Sequence, residues 1–139
     1  MNDFLPSIGT LTTYIRPVGQ GIRVDDGFEE GMEVPIYYDP MISKLITYGA
    51  SRHEAISLMK KAIQMYQIEG IETTLPFGTF VCNHEAFISG NFDTHFVHNF
   101  YSKERVEALQ KNEAKLAAFV ALKAYLEEQQ QLKVPTSEI

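Results

Sequence analysis

The first half of the chain alternates hydrophobic and polar positions at a period of two. In "GTLTTYIRP", Leu11, Thr13 and Ile15 fall on one face and Thr12 and Tyr14 on the other, which predicts a strand ended by Pro17 and Gly19. "GIRVDDG" predicts a short strand with Ile22 and Val24 on one side and Arg23 and Asp25 on the other. "GMEVPIYY" places Met32, Val34 and Ile36 on one face, and Pro35 inside it indicates an edge position or a kink. "MISKLITYG" is a more continuous apolar run, which predicts a strand buried on both faces.

The period then lengthens to that of a helix. In "SRHEAISLMKKAIQMYQ", Ile56, Met59, Ile63 and Tyr66 recur at helical spacing, and Ser51 with Glu54 forms a capping box. "IEGIETT" reads as a short return strand broken at Gly70, and "LPFGTFVCNHEAFISG" as short helical turns punctuated by Gly78 and Gly90. Residues 102–131, rich in Ala, Glu, Lys and Gln, predict one long helix with Val106, Leu109, Leu116, Phe119 and Val120 along one side. Pro135 lies in a frayed tail, and no internal repeat is present.

Composition narrows the class. The 139 residues are 45% hydrophobic, enough for the core of a compact domain. A net charge of -6 with no basic cluster argues against nucleic acid and against an anionic membrane surface as partners. The single cysteine, Cys82, excludes an internal disulfide and fits a reducing compartment, and its apolar setting "PFGTFVCN" suggests an inert core thiol. With no apolar run of spanning length and no signal peptide, the expected location is the cytoplasm. The opening "MNDFLPSIGT", a polar turn running into a proline, reads as a position inside a longer protein with Met1 placed before it.

Few residues suggest chemistry of their own. His95 and His98 stand at i, i+3 in "THFVH" but lack an evident third metal ligand, so a surface or packing role is favoured over metal binding. "DDGFEEG" lacks the spacing of a calcium loop and reads as a solvated turn, and "GQG" is not followed by a phosphate-binding helix. No nucleophile is paired with a base. Lys44, in the middle of an apolar segment, must reach solvent, meet a carboxylate or face a ligand. Asp39, before Pro40, is the nearest carboxylate by sequence; a structural ion pair and the wall of a site both remain open.

Five pieces, "FLPSIG", "GIRVD", "YYDPMISKLI", "SRHEAI" and "IEGIETT", stand in an order and spacing that resemble the C-terminal domain of biotin carboxylase, the ATP-grasp component of acetyl-CoA, propionyl-CoA and related carboxylases. "FISGNFDTHFV" resembles the closing segment of that domain, so the likeness runs from Phe4 to Val97. It implies an α+β fold, an antiparallel, partly barrel-like sheet with packed helices. It also implies two regions: residues 1–100 as the domain and 101–139 as a helical extension and tail.

The resemblance implies a parent that carboxylates biotin with ATP, Mg2+ (or Mn2+) and bicarbonate, as in fatty acid biosynthesis. Its catalytic, ATP-grasp and metal residues would lie outside this chain, which alone would be inactive and bind no cofactor. The implied partners are the N-terminal and ATP-grasp domains of the same parent, a second copy in a homodimer, and the biotin carboxyl carrier and carboxyltransferase components. By matched position, Arg23 and Gln20 fall at the dimer interface, Gln20 where the family often has an aromatic residue. Asp39 and Lys44 fall beside the active site as supporting groups, Asp39 by hydrogen bonding and Lys44 by orienting a wall. Thr94 falls near the adenine, where some members carry an aliphatic side chain. The competing expectation is a free-standing interaction domain that uses the long C-terminal helix as its partner surface.

Overall fold

The computed structural model describes residues 5–35, 37, 39–101 and 118–126. By its internal contacts the chain divides into two compact units, Met1–Phe92 and Asp93–Ile139.

The first unit opens with a chain segment that serves two ladders. β1 (Gly9–Thr10) pairs antiparallel with β4 (Glu33–Val34), and β2 (Thr13–Ile15) pairs antiparallel with β6 (Gln67–Glu69). The switch of partner falls at Leu11 and Thr12. Leu11 donates to the Met32 carbonyl at 2.9 Å and accepts from the Gly31 amide at 2.7 Å, whereas Thr12 donates to the Glu69 carbonyl at 3.0 Å. The alternating run expected as one strand is therefore split in two, because its backbone cannot satisfy both neighbours in one register. Leu11 at the switch is fully buried and Val34 nearly so. Burying such a side chain contributes about 1.5–3 kcal/mol. Pro35, which has no amide to donate, follows the last residue of β4.

β3 (Ile22–Asp26) and β5 (Ser43–Thr47) form the longest ladder, with Arg23 opposite Ile46 and Asp25 opposite Lys44. Its entry is a turn in which the Ile22 amide donates to the Gly19 carbonyl at 3.1 Å. Gly21 follows at φ +75, with its own carbonyl accepting from the Tyr48 amide at 2.8 Å. The strand expected to be buried on both faces is not: β5 alternates, with Lys44 and Ile46 exposed and Ser43, Leu45 and Thr47 half-buried. A lysine cannot be buried there without a partner, and the pleat sends it outward.

α1 (Arg52–Met65) packs on β5 and β3 and against two shorter helices, α2 (Leu75–Asn83) and α3 (Glu85–Ser89). The cap predicted for α1 forms. Ser51 Oγ accepts from the Glu54 amide at 3.2 Å, and Glu54 Oε2 reaches back to the Ala50 amide at 2.8 Å, one residue before the cap. Ile56, Ala62 and Tyr66 are the buried residues of this stretch. Cys82 on α2 is also buried, and burial pushes its thiol up, away from the nucleophilic thiolate.

In the second unit, α4 (Phe96–Phe100) is one short helix whose two phenylalanine rings lie 5.2 Å apart, and residues 118–126 are helical and exposed. The rest of the predicted long helix lies outside the described residues. The fold is thus mixed helix and antiparallel sheet. Among the described residues the strands pair as three two-stranded ladders, so the partly barrel-like sheet is corrected to separate ladders without closure.

The tightest backbone approach is at Gly70, φ +98, where a Cβ would collide with the Thr10 carbonyl oxygen. Gly70→Ala is expected to lower stability in urea by about 2 kcal/mol or more. Gly90→Ala, at φ +81 with open space around it, serves as the control for left-handed backbone alone and should lose about 1 kcal/mol.

Candidate functional site

The first unit carries two surfaces that bring chemistry-bearing side chains together. One is the outward face of the β3–β5 ladder. The pleat puts Arg23 and Asp25 on it from β3 and Lys44 and Ile46 from β5, while Ile22 and Val24 turn inward. Arg23 forms a forked pair with Asp25 along its own strand, Nε to Oδ1 at 2.7 Å and Nη2 to Oδ2 at 2.6 Å. The hydrogen bond from Arg23 holds the Asp25 carboxyl below its usual range, and the charges of Arg23 and then Lys44 add to this. Lys44 therefore stands across the ladder from Asp25, not beside Asp39. Tyr48 and Val18, in the chain flanking this ladder, are exposed at 79% and 75%. Gln20 is exposed in the turn before β3.

The other surface is a groove of 510 Å³ between α1, α2, the return strand β6 and the approach to β5. Its walls are aliphatic: Leu5, Ile42, Leu45, Met59, Ile63 and Ile68. Asp39 and Glu72 also line it, and both residues are exposed. Asp39 Oδ1 accepts from the Met41 amide at 2.9 Å, an Asx turn that fixes the chain around Pro40. Ser7, Thr73 and Thr74 also line it, and Ser43 and Tyr66 add two further hydroxyls.

Those hydroxyls continue into the protein. Ser43 Oγ lies 2.8 Å from Tyr66 Oη, and Tyr66 Oη lies 2.7 Å from Tyr14 Oη. Tyr14 Oη lies 3.1 Å from Asp26 Oδ2, and Asp26 pairs with Arg16 at 3.3 Å. Burial first, and then the Tyr66 hydroxyl, push the Tyr14 phenol well above its usual range. Sequence reasoning missed this chain of groups. Tyr14 and Tyr66 read there only as face positions, and nothing local announces a contact between residues 52 apart.

Of the residues singled out in the sequence, Arg23 and Lys44 share the ladder face, Gln20 lies at its entry, and Asp39 lies on the groove. Thr94 is exposed in the second unit. His95 there donates its backbone amide to Asp93 Oδ1 at 2.9 Å, and His98 is in the last turn of α4. Among the described residues no three His, Cys, Asp or Glu side chains converge on a possible metal position. No helix of the described residues is long and apolar enough to cross a membrane.

The Arg23–Asp25 pair has a pH signature. A carboxyl held low in the folded state contributes stability above its ordinary pKa and loses that contribution as pH falls through the depressed value. A carbon-detected NMR titration should find Asp25 below the ordinary carboxylate range, and Arg23→Ala should return it toward that range. An unmoved Asp25 in the variant would contradict the pairing.

Comparison with known proteins agrees with the geometry. The family model of the biotin carboxylase C-terminal domain matches residues 1–99. Biotin carboxylase 1 of Bacillus subtilis is 48% identical over 98 residues, 70% of this chain and 22% of that protein. Among solved structures, the biotin carboxylase domain dimer of the Hydrogenobacter thermophilus 2-oxoglutarate carboxylase, in complex with MgADP, ADP and bicarbonate, superposes with a TM-score of 0.67. It is 37% identical and covers 68% of this chain and 21% of its own. The biotin carboxylase of Campylobacter jejuni, in a beta-gamma-ATP complex, also superposes with a TM-score of 0.67. It is 38% identical and covers 70% of this chain and 22% of its own. The chain thus spans about a fifth of the length of these three relatives. With the family model covering most of its length, the chain belongs to the biotin carboxylase C-terminal domain family.

Proposed function

We propose that this chain is the C-terminal domain of a biotin carboxylase whose whole length carboxylates biotin with bicarbonate, driven by ATP through a carboxyphosphate intermediate. The observation that carries the reading is the family match over residues 1–99, at 48% identity to a curated biotin carboxylase. Residues 1–100 form the domain and 101–139 the extension. ATP, the divalent cation and bicarbonate are held by the ATP-grasp and N-terminal parts of the parent. The described residues of this chain offer no fitting metal position, so no step through the metal is assigned to it. By itself the chain is inactive.

The domain's task is then to close one side of the active site and to help pair two subunits. Asp39 and Lys44 support the wall, and Thr94 lies near the nucleotide. The ladder face of Arg23, with Gln20 at its entry, meets the second subunit. Its alternation of Arg23, Asp25 and Lys44 beside apolar Ile46 favours this use, since a two-fold contact sets the same patch against itself and needs both charge signs within it. Arginine also suits interfaces because its planar fork binds carboxylates while being weakly hydrated. The carrier and carboxyltransferase components complete the enzyme, in the cytoplasm. A second reading, an interaction domain working through its C-terminal helix, is favoured by one observation. Residues 118–126 leave Phe119, Val120, Leu122 and Leu126 more than half exposed.

The test uses the full-length subunit. It should release phosphate from ATP only with bicarbonate and biotin present, while this chain alone releases none. Arg23→Glu should shift the full-length subunit toward monomer in sedimentation at several concentrations. Turnover by the isolated chain would refute the fragment reading, and a variant dimer as tight as wild type would refute the assigned interface.

A further inference from the structure

Arg52 stands where its charge does not serve its own helix. It is the first residue of α1, the end at which free amides point outward and a cation is disfavoured. Among the described residues no carboxylate pairs with it. Its guanidinium turns instead to α3 and the chain that follows. Nη2 donates to the Phe87 carbonyl at 2.5 Å, and Cζ lies 4.8 Å from the centre of the Phe87 ring and 6.0 Å from that of Phe92. The two rings lie 5.2 Å apart.

The Phe87 carbonyl belongs to the last turn of α3, where partial negative charge gathers, and it also accepts the Gly90 amide at 3.2 Å. Its two lone pairs take both donors. Arg52 is thus a C-terminal cap supplied by another helix. Burial gives this segment little else. α3 has 5 residues, none of them buried, and Phe92 is 45% exposed. A helix so short is not stable by itself. The planar fork of arginine can donate to a carbonyl and lie over aromatic rings at once, which the point charge of lysine cannot match.

We propose that Arg52 is a positioning residue, a clasp that holds residues 85–92 on the start of α1 and so fixes where the chain leaves the first unit. Thr94 follows Phe92 by two residues. Under the carboxylase reading, on which this consequence rests, Thr94 lies near the nucleotide, so Arg52 acts on nucleotide binding through the segment it clasps. The clasp itself stands on the contacts of Arg52 with Phe87 and Phe92 and does not depend on that reading.

The test has two arms, both with Arg52→Gln. In hydrogen exchange of the whole chain followed by NMR, the Ile88 and Gly90 amides, bonded to the His84 and Phe87 carbonyls, should exchange about tenfold faster. The Tyr66 amide at the far end of α1 should keep its rate. In the full-length subunit the KM for ATP should rise about fivefold while kcat changes by less than about twofold. Leu11→Val, which loosens the core on the β1–β2 segment, is the control for general stability and should leave the KM unchanged. Unchanged exchange at Ile88 and Gly90, or equal acceleration at Tyr66, would overturn the clasp. An unchanged KM, a fall in kcat alone, or the same rise in KM with Leu11→Val would overturn the positioning role. A wild-type subunit without bicarbonate-dependent ATP turnover would overturn the carboxylase reading and the nucleotide consequence with it, while the exchange rates would still decide the clasp.

Discussion

Much of the first unit hangs on the Tyr66 side chain. Tyr66 is the C-cap of α1, its amide shared between the Ala62 and Ile63 carbonyls, and it directly precedes β6. Its ring meets that of Tyr14 edge-on at 5.8 Å between centroids, and its hydroxyl bonds both Tyr14 and Ser43. One side chain therefore ties the end of the main helix to β2, on one ladder, and to β5, on another. A buried hydroxyl is stabilising only when satisfied. Tyr66, 6% exposed, has one proton and two hydroxyl partners, so it donates to one and accepts from the other.

That arrangement also separates the two candidate surfaces. The chain of hydroxyls ends at the groove in Ser43, while the residue that follows, Lys44, points the other way, to the ladder face with Arg23 and Asp25. Neighbouring residues on one strand thus serve opposite sides of the sheet. Lys44 reaches solvent opposite Asp25, so the strand keeps one wet face. The forked Arg23–Asp25 pair presents a fixed guanidinium plane on that face rather than a freely rotating side chain. Cys82, in the described interior, is buried, and burial pushes its thiol up, away from the thiolate.

How much of this was legible in the sequence differs by element. α1 was readable to its cap, because the capping box and the helical recurrence of Ile56, Ile63 and Tyr66 are local signals. The inward and outward faces of β3 followed from alternation. The split at Leu11 was not readable, since it depends on which distant strand lies beside each half of the segment. Burial of β5 was misjudged because Ile46 extends the apolar run although it faces solvent at 40% exposure. The family was carried by ordered motif pieces spread along the chain, and no single residue could have supplied it. In the groove, Asp39 was marked by its proline neighbour, but Glu72, Ser43 and Tyr66 carry no local signature. They meet only because α1 returns the chain to β6, beside β2.

The coupling between the two phenols is the feature to measure. A double-mutant cycle of Tyr14→Phe and Tyr66→Phe, read by urea denaturation of the whole chain, isolates it from the loss of each hydroxyl alone. If the hydroxyls work as one oriented series, the combined loss will differ from the sum of the single losses by about 0.5–3 kcal/mol. Additivity to within about 0.3–0.5 kcal/mol would mean that the two tyrosines act separately and that their hydroxyls do not work as one series.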